Sequence, residues 1–260
     1  MSRHPGEETG VHGTGWAQVH GGYFSDPEVA RPLVEAVCRL WGESHPEVIV
    51  DLGGGTGFLL SQLRKAGIGD ATAMVDIDCS DAQLGMLHGS GLSSVRGSVD
   101  RFRRAEVVSA GKKALFAMRS VLHYAGEGGL TPLLAHLRAQ AEEGERWVHQ
   151  TACFEREEDA ACLNALYRKM RTGKWYPTVA GLRDRLISAG WQVDEVRPAP
   201  TLLLESGELG RRYGLTQADL RRIREEMAAE FGAKRDVFRL VPDGFQADLH
   251  YRIFVCRAIS

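Results

Sequence analysis

The residues whose types and spacing could do chemistry are concentrated between Val48 and Phe58. There Val48-Ile49-Val50-Asp51-Leu52-Gly53-Gly54-Gly55-Thr56-Gly57-Phe58 sets an acid and four glycines between an apolar run and an amphipathic stretch. Glycine lets the backbone take positive φ and lets a ligand approach where a Cβ would intrude. Such a loop between a strand and a helix is where α/β sheets bind nucleotide-like ligands. The dinucleotide fingerprint G-x-G-x-x-G/A, counted from Gly53 and Gly55, needs Gly or Ala at position 58, and Phe stands there. The phosphate-cradling G-x-x-x-x-G-K-[S/T] is absent as well, since no Lys follows the glycines at that offset. What remains is acid-x-Gly-x-Gly-x-Gly. A nucleoside ligand also needs an acid at the end of the next strand to accept its ribose hydroxyls. Asp76 closes Ala73-Met74-Val75 and is the favoured residue; Asp78 is the rival, but it or Ser80 fills a helix N-cap more naturally.

The elements that must hold these residues follow from periodicity. Val48–Val50 reads as a buried strand and 58–65 as a helix. Further strands follow at 73–75, 94–95, 114–118 and 147–154, with a helix over 130–141. Strands alternating with helices predict a parallel sheet covered on both faces. Residues 1–24 are rich in Gly and His and read as an irregular lead-in. Ser25-Asp26-Pro27 then starts a helix whose apolar stripe is Val29, Leu33, Val34, Val37, Leu40 and Trp41. Toward the C-terminus a helix is expected over 178–189 and a sixth strand over 191–196. Another helix is capped by Thr216 with Asp219 three residues on, and a last strand spans 249–256. The expected division is a lead-in and helical cap over 1–45 and a core over 46–260, with a helical insertion at 206–244.

The first motif resembles that of the class I S-adenosylmethionine (SAM)-dependent methyltransferases of the small-molecule type, and the match runs over roughly residues 46–200. The resemblance implies a Rossmann-like α/β fold: a seven-stranded, mostly parallel sheet with an antiparallel last strand. It implies SAM as cofactor, with Asp51 anchoring the amino group and Gly53, Gly55 and Gly57 lying along the aminocarboxypropyl chain. Asp76 would take the ribose and Ile77 the adenine. Arg96-Gly97-Ser98-Val99-Asp100 occupies the adenine turn; Ser98 stands where Asp is usual, and Asp100 could substitute. Arg119-Ser120-Val121-Leu122-His123-Tyr124 is similar to the turn that borders both cofactor and acceptor in this family, with Arg119 on the cofactor side. His123 is the leading candidate base, because an imidazole suits proton transfer at neutral pH; Tyr124 is the second. The acceptor would meet Trp16, His20, Tyr23 and Phe24, and Tyr167, Met170, Trp175 and Tyr176. Leu163, Leu166, Tyr167 and Met170 also stand at helical spacing, which reads more simply as core.

The implied activity is SN2-like methyl transfer to a small organic acceptor, with oxygen favoured, of the kind found in secondary metabolism. Two alternatives keep the fold: a non-methylating enzyme that uses bound SAM for cyclisation or elimination, and a non-enzymatic SAM-binding partner subunit. Composition narrows the field further. The 260 residues are 43% hydrophobic and 25% charged, as in a globular protein, and the net charge is −2. Near-neutrality removes the main electrostatic argument for a nucleic-acid or membrane partner. No apolar run is long enough for a bilayer span. Five scattered cysteines form no CxxC pair, no metal-ligand spacing stands out, and MSRHPGEETG lacks the apolar stretch of a secretory signal. The expectation is a cytoplasmic protein without a metal; the 206–244 insertion could serve as a lid or as the surface of a homodimer.

Overall fold

The computed structural model describes residues 20–87 and 91–260. Every residue of β1 (Val48–Leu52) is buried, as an apolar strand covered on both faces requires. It pairs in parallel with β2 (Ala73–Asp78) on one side and β4 (Ala114–Arg119) on the other. β3 (Ser93–Arg96) extends the sheet beyond β2, and β5 (Arg146–Ala152) extends it beyond β4, again in parallel. The last long strand, β8 (Gly244–Ala258), lies antiparallel to β5, and the edge strand β6 (Trp191–Glu205) lies antiparallel to β8. The order is β3-β2-β1-β4-β5-β8-β6. It reverses direction at β1, which opens a crevice at the carboxyl ends of β1 and its neighbours.

Helices cover both faces. α1 (Pro27–Ser44) begins where Asp26 accepts a hydrogen bond from the Glu28 N–H, with Pro27 at the first position. Together with α2 (Phe58–Lys65) it buries Leu33, Val37, Leu40, Leu60 and Leu63 against Ile49, Leu115 and Val148 of the sheet. On the opposite face α3 (Gly126–Ala139) and α5 (Val179–Ser188) bury Leu130, Leu134, Leu182 and Leu186 against Val48, Val50 and Phe116. Successive β1 residues serve opposite layers, as a period of two demands. No described helix is long and apolar enough to cross a membrane.

Two expectations need correction. The sheet has an eighth strand, because the expected helical insertion holds β7 (Phe238–Val241) as well as α6 (Ser206–Tyr213) and α7 (Gln217–Phe231). β7 forms a hairpin with β8 in which Val241 pairs with Gly244. The Pro242-Asp243-Gly244 turn was its signal. The second correction is length: β6 and β8 each run fifteen residues. The sixth strand was expected to end at 196; β6 runs on through Pro198 and Pro200 because it is an edge strand, where a missing N–H on the outer side is tolerated.

That extra length matters for the site. Ala152 at the end of β5 pairs with Tyr251, so residues 244–250 of β8 continue past it. With β7 and the end of β6 they build a ribbon above the carboxyl edge of the sheet. Against it pack α4 (Glu157–Lys169), α6 and α7, enclosing a second core that includes Phe154, Tyr167, Tyr176, Ile223, Phe238 and Phe245. Tyr23 and Phe24, which precede α1, join the same core.

Candidate functional site

A cleft of ~770 Å³ lies at the carboxyl edge, walled by the glycine loop, the ends of β2 and β4, the turn after β3 and the start of α3. The loop is held from below by the Gly53 N–H, which donates to the Ile77 carbonyl at 2.7 Å. Gly57 sits at φ +69° as the N-cap of α2, where a Cβ would run into Leu87. Gly54 is required for a different reason: a Cβ there would lie 2.5 Å from Asp51 Oδ2 and 2.6 Å from Asp76 Oδ2. α2 has no side-chain cap, so its first N–H groups need partners from elsewhere.

The three acids are not equivalent. Asp51 is on the cleft wall although its residue is only 1% exposed. Asp78 is also on the wall; its Oδ2 accepts from the Gly55 N–H at 3.1 Å and its Oδ1 from the Ser80 N–H at 2.8 Å. Asp76 is fully buried beneath the loop and is not part of the wall. Burial raises all three carboxyls above their usual range. The charge of Asp78 adds to the rise at Asp51, where Arg119 opposes it. At Asp76 both neighbouring acids add to it, and the Gly54 and Gly57 N–H groups offset it in part. At Asp78 hydrogen bonds from backbone N–H groups offset it.

Arg119, at the end of β4, faces the cleft and ties down the segment before α1. Its guanidinium donates to the Phe24 carbonyl at 2.9 Å and to that of Tyr23 at 3.2 Å, and it lies 5.6 Å from the Phe58 ring centre. Its Nε is buried without a hydrogen-bond partner among the described residues. Burial lowers its pKa. Ser120 follows at φ +65°, a conformation uncommon for a residue with a Cβ. It is pinned by its N–H to the Gln150 carbonyl at 2.8 Å and by its hydroxyl to Tyr251 Oη at 2.6 Å. The single-turn helix Leu122–Ala125 then puts Tyr124 on the wall. His123 is buried behind it, with ring centres 4.2 Å apart.

No protein-family model and no curated protein matches the sequence. Solved structures do match. A putative methyltransferase from Bacillus halodurans C-125 superposes with a TM-score of 0.64 at 11% identity, covering 87% of this chain and 99% of that one. The 1,6-didemethyltoxoflavin N1-methyltransferase of Burkholderia thailandensis, solved with 1,6-didemethyltoxoflavin and S-adenosylhomocysteine, gives 0.56 at 14%, over 100% of this chain and 92% of that one. The [4+2]-cyclase SpnF gives 0.52 at 10%, over 88% and 81%. The fold is that of the class I SAM-dependent methyltransferases. At these identities the likeness carries the fold alone.

Of the residues singled out in the sequence, the methyltransferase fold brings Asp51, Gly53, Gly55, Ser98, Val99, Arg119 and Tyr124 to one cleft. Gly57 lies just below it as the cap of α2. The Ser98 hydroxyl is bonded to the Asp100 carboxylate, so these two rivals stand together on the wall. Other residues move. Asp78 and Cys79 occupy the wall in place of Asp76 and Ile77; Ile77 is fully buried and packs beneath Gly97. The reason is that β2 runs on to Asp78, past the expected end at Val75. His123 is not on the wall. Among the acceptor residues, Trp16 lies outside the described residues. Tyr167 and Tyr176 are core side chains of the second cluster. Tyr23 donates to the Pro200 carbonyl at 2.5 Å, and His20 pairs with Glu208 of α6 at 3.1 Å. These four brace the ribbon rather than line the cleft, where the aromatic contacts are Phe24, Phe58 and Tyr124. Gln83 and Cys79 on the wall had no signal in the sequence, since single polar residues after a strand are ordinary. Among the described residues no group of three His, Cys, Asp or Glu is arranged to hold a metal ion.

Proposed function

We propose that this chain binds SAM in the cleft and catalyses transfer of its methyl group to a small organic acceptor. The observation that carries the reading is a buried Asp51 carboxylate on the cleft wall, with no hydrogen-bond partner among the described residues, at the mouth of a glycine loop. A buried acceptor of that kind calls for a cationic donor, and the cofactor's ammonium is one. Arg119 Nε is the complementary orphan, a buried donor suited to the carboxylate of the same amino-acid end. Asp78 has further lone pairs for the ribose hydroxyls, and the Ser98–Asp100 pair offers a polar edge to the base. The cleft volume is within the range of small-molecule sites.

Bound there, SAM would supply an electrophilic methyl group on a sulfonium for in-line displacement. The protein's own contribution is binding and orientation, which can lower such a barrier by several kcal/mol. Arg119 also holds the Tyr23 and Phe24 carbonyls, which keeps the Phe24 ring on the cleft wall, where it limits water. An acceptor hydroxyl must lose its proton, and Tyr124 Oη is the titratable side-chain atom of the cleft turn at the wall. That supports oxygen as the methylated atom, with the His123 ring packed behind Tyr124 and holding it at the wall. The near-neutral chain supports a small acceptor over a nucleic acid, and the scattered cysteines support a cytoplasmic setting.

The second reading takes its support from the likeness to a [4+2]-cyclase: this chain would bind SAM in the cleft and convert the acceptor without transferring the methyl group. An assay with phenolic, carboxylic and amine acceptors separates the two. Acceptor-dependent formation of S-adenosylhomocysteine is the expected result. An acceptor converted while SAM stays intact would contradict methyl transfer and support the cyclase-like reading.

A further inference from the structure

β1 and β2 run in a register that pairs Asp51 with Asp76. Both carboxylates are buried, at 1% and 0% exposure; among the described residues neither oxygen of Asp51 has a hydrogen-bond partner, and Asp76 is approached by the Gly54 and Gly57 N–H groups of the loop. One oxygen of each lies within 2.6 Å of the single point that a Cβ on Gly54 would occupy. Two carboxylates so close in a poorly solvated site cannot both be ionised at neutral pH. The charged groups that face them are Asp78 on β2 and Arg119 on β4; β3 brings only Ser94 opposite Asp76, and the loop brings the Gly54 and Gly57 N–H groups.

We infer that Asp76 is a positioning residue, the neutral member of a proton-sharing pair that donates its O–H to Asp51 and so fixes one negative charge at the cleft wall. The division of roles follows from placement. Asp51 is at the wall and within reach of the Arg119 charge, whereas Asp76 is behind the wall between two other acids. Asp51 then offers one oriented carboxylate to a cationic group in the cleft, while the protein avoids a second buried charge. This inference rests on the SAM reading for the identity of that cation, but the pair itself does not. A neutral Asp76 has a pH signature with a definite sign. Its folded pKa is raised above the ordinary carboxyl value near 3.9. The folded chain therefore binds more protons than the unfolded one above that value, and stability is lost as pH rises toward the folded pKa. The amide of Asp76→Asn carries a permanent donor and no titration, so this part of the slope disappears.

Infrared spectroscopy of the free full-length chain, 13C-labelled at aspartate, tests the pair without any ligand. At neutral pH the wild type should show the C=O stretch of a neutral carboxylic acid that Asp76→Asn lacks. Absence of the band from the wild type would overturn the inference, whatever the variant does. Calorimetry with S-adenosylhomocysteine tests the positioning role. Asp76→Ala should bind about tenfold more weakly, as for a lost hydrogen bond to a charged group, and Asp76→Asn should return to within about threefold of wild type. An Asn variant as weak as the Ala variant overturns the donor role. A band in a wild-type chain that binds no S-adenosylhomocysteine overturns the SAM reading, and Asp76's role in it, while leaving the shared proton in place.

Discussion

Asp78 already accepts hydrogen bonds from the Gly55 and Ser80 N–H groups, yet it faces the cleft with lone pairs to spare. Truncating it should weaken S-adenosylhomocysteine binding by about 1.5–3 kcal/mol, the range for hydrogen bonds to a charged group. Calorimetry on Asp78→Ala checks this; unchanged affinity would remove it as the ribose acceptor. The residue two positions earlier was the stronger candidate from sequence, and the reason it misled is geometric. Asp76 and Asp78 lie on one face of the same strand, because strand side chains repeat every two residues. Alternation cannot separate them. Only the point where the strand stops decides which one reaches the cleft, and Ile77-Asp78 carries no stop signal. Gly53, Gly55 and Asp51 were legible because a Gly-rich turn after an apolar run fixes its own place in an α/β sheet. His123 and Tyr124 were legible as a pair, but which ring faces the cleft depends on a helical turn of four residues.

Between elements, the start of β4 depends on one buried acid. Glu145 accepts from Arg104 at 2.7 and 2.8 Å, from the Ala114 N–H at 2.6 Å and from the Glu142 N–H at 2.8 Å, while its side chain is 5% exposed. It thereby ties the start of β4 to Arg104 and to the turn between α3 and β5. Removing one partner of such a buried pair leaves the other uncompensated, so Glu145→Ala should lose about 3–5 kcal/mol of stability. Urea denaturation reads the change directly, and a loss below 1 kcal/mol would show that water takes over the role. The central strands and their covering helices could be read from sequence, since burial on both faces imposes continuous apolar runs. The ribbon could not. β7 is four residues long, and the outer halves of β6 and β8 owe their extended form to pairing with each other across residues distant in sequence.

At the scale of the molecule, the chain has two main cores beside its central sheet. The sheet supplies the glycine loop and the acids of the cleft, and the ribbon packs with α4, α6 and α7 around a second core that Tyr23 and Phe24 join, Phe24 also lining the cleft. Arg119 joins them by holding the backbone before α1 from the end of β4. The glycine loop and its acid were legible in the sequence because a local pattern places them, whereas tertiary packing, rather than any local pattern, turned Tyr167 and Tyr176 inward. The most direct measurement is titration calorimetry of the full chain with SAM, S-adenosylhomocysteine and NAD, each separately. Saturable binding of the two sulfur nucleosides at one site, with no heat from NAD, is the expected result. Failure of folded, cofactor-free protein to bind either sulfur nucleoside would contradict the central claim.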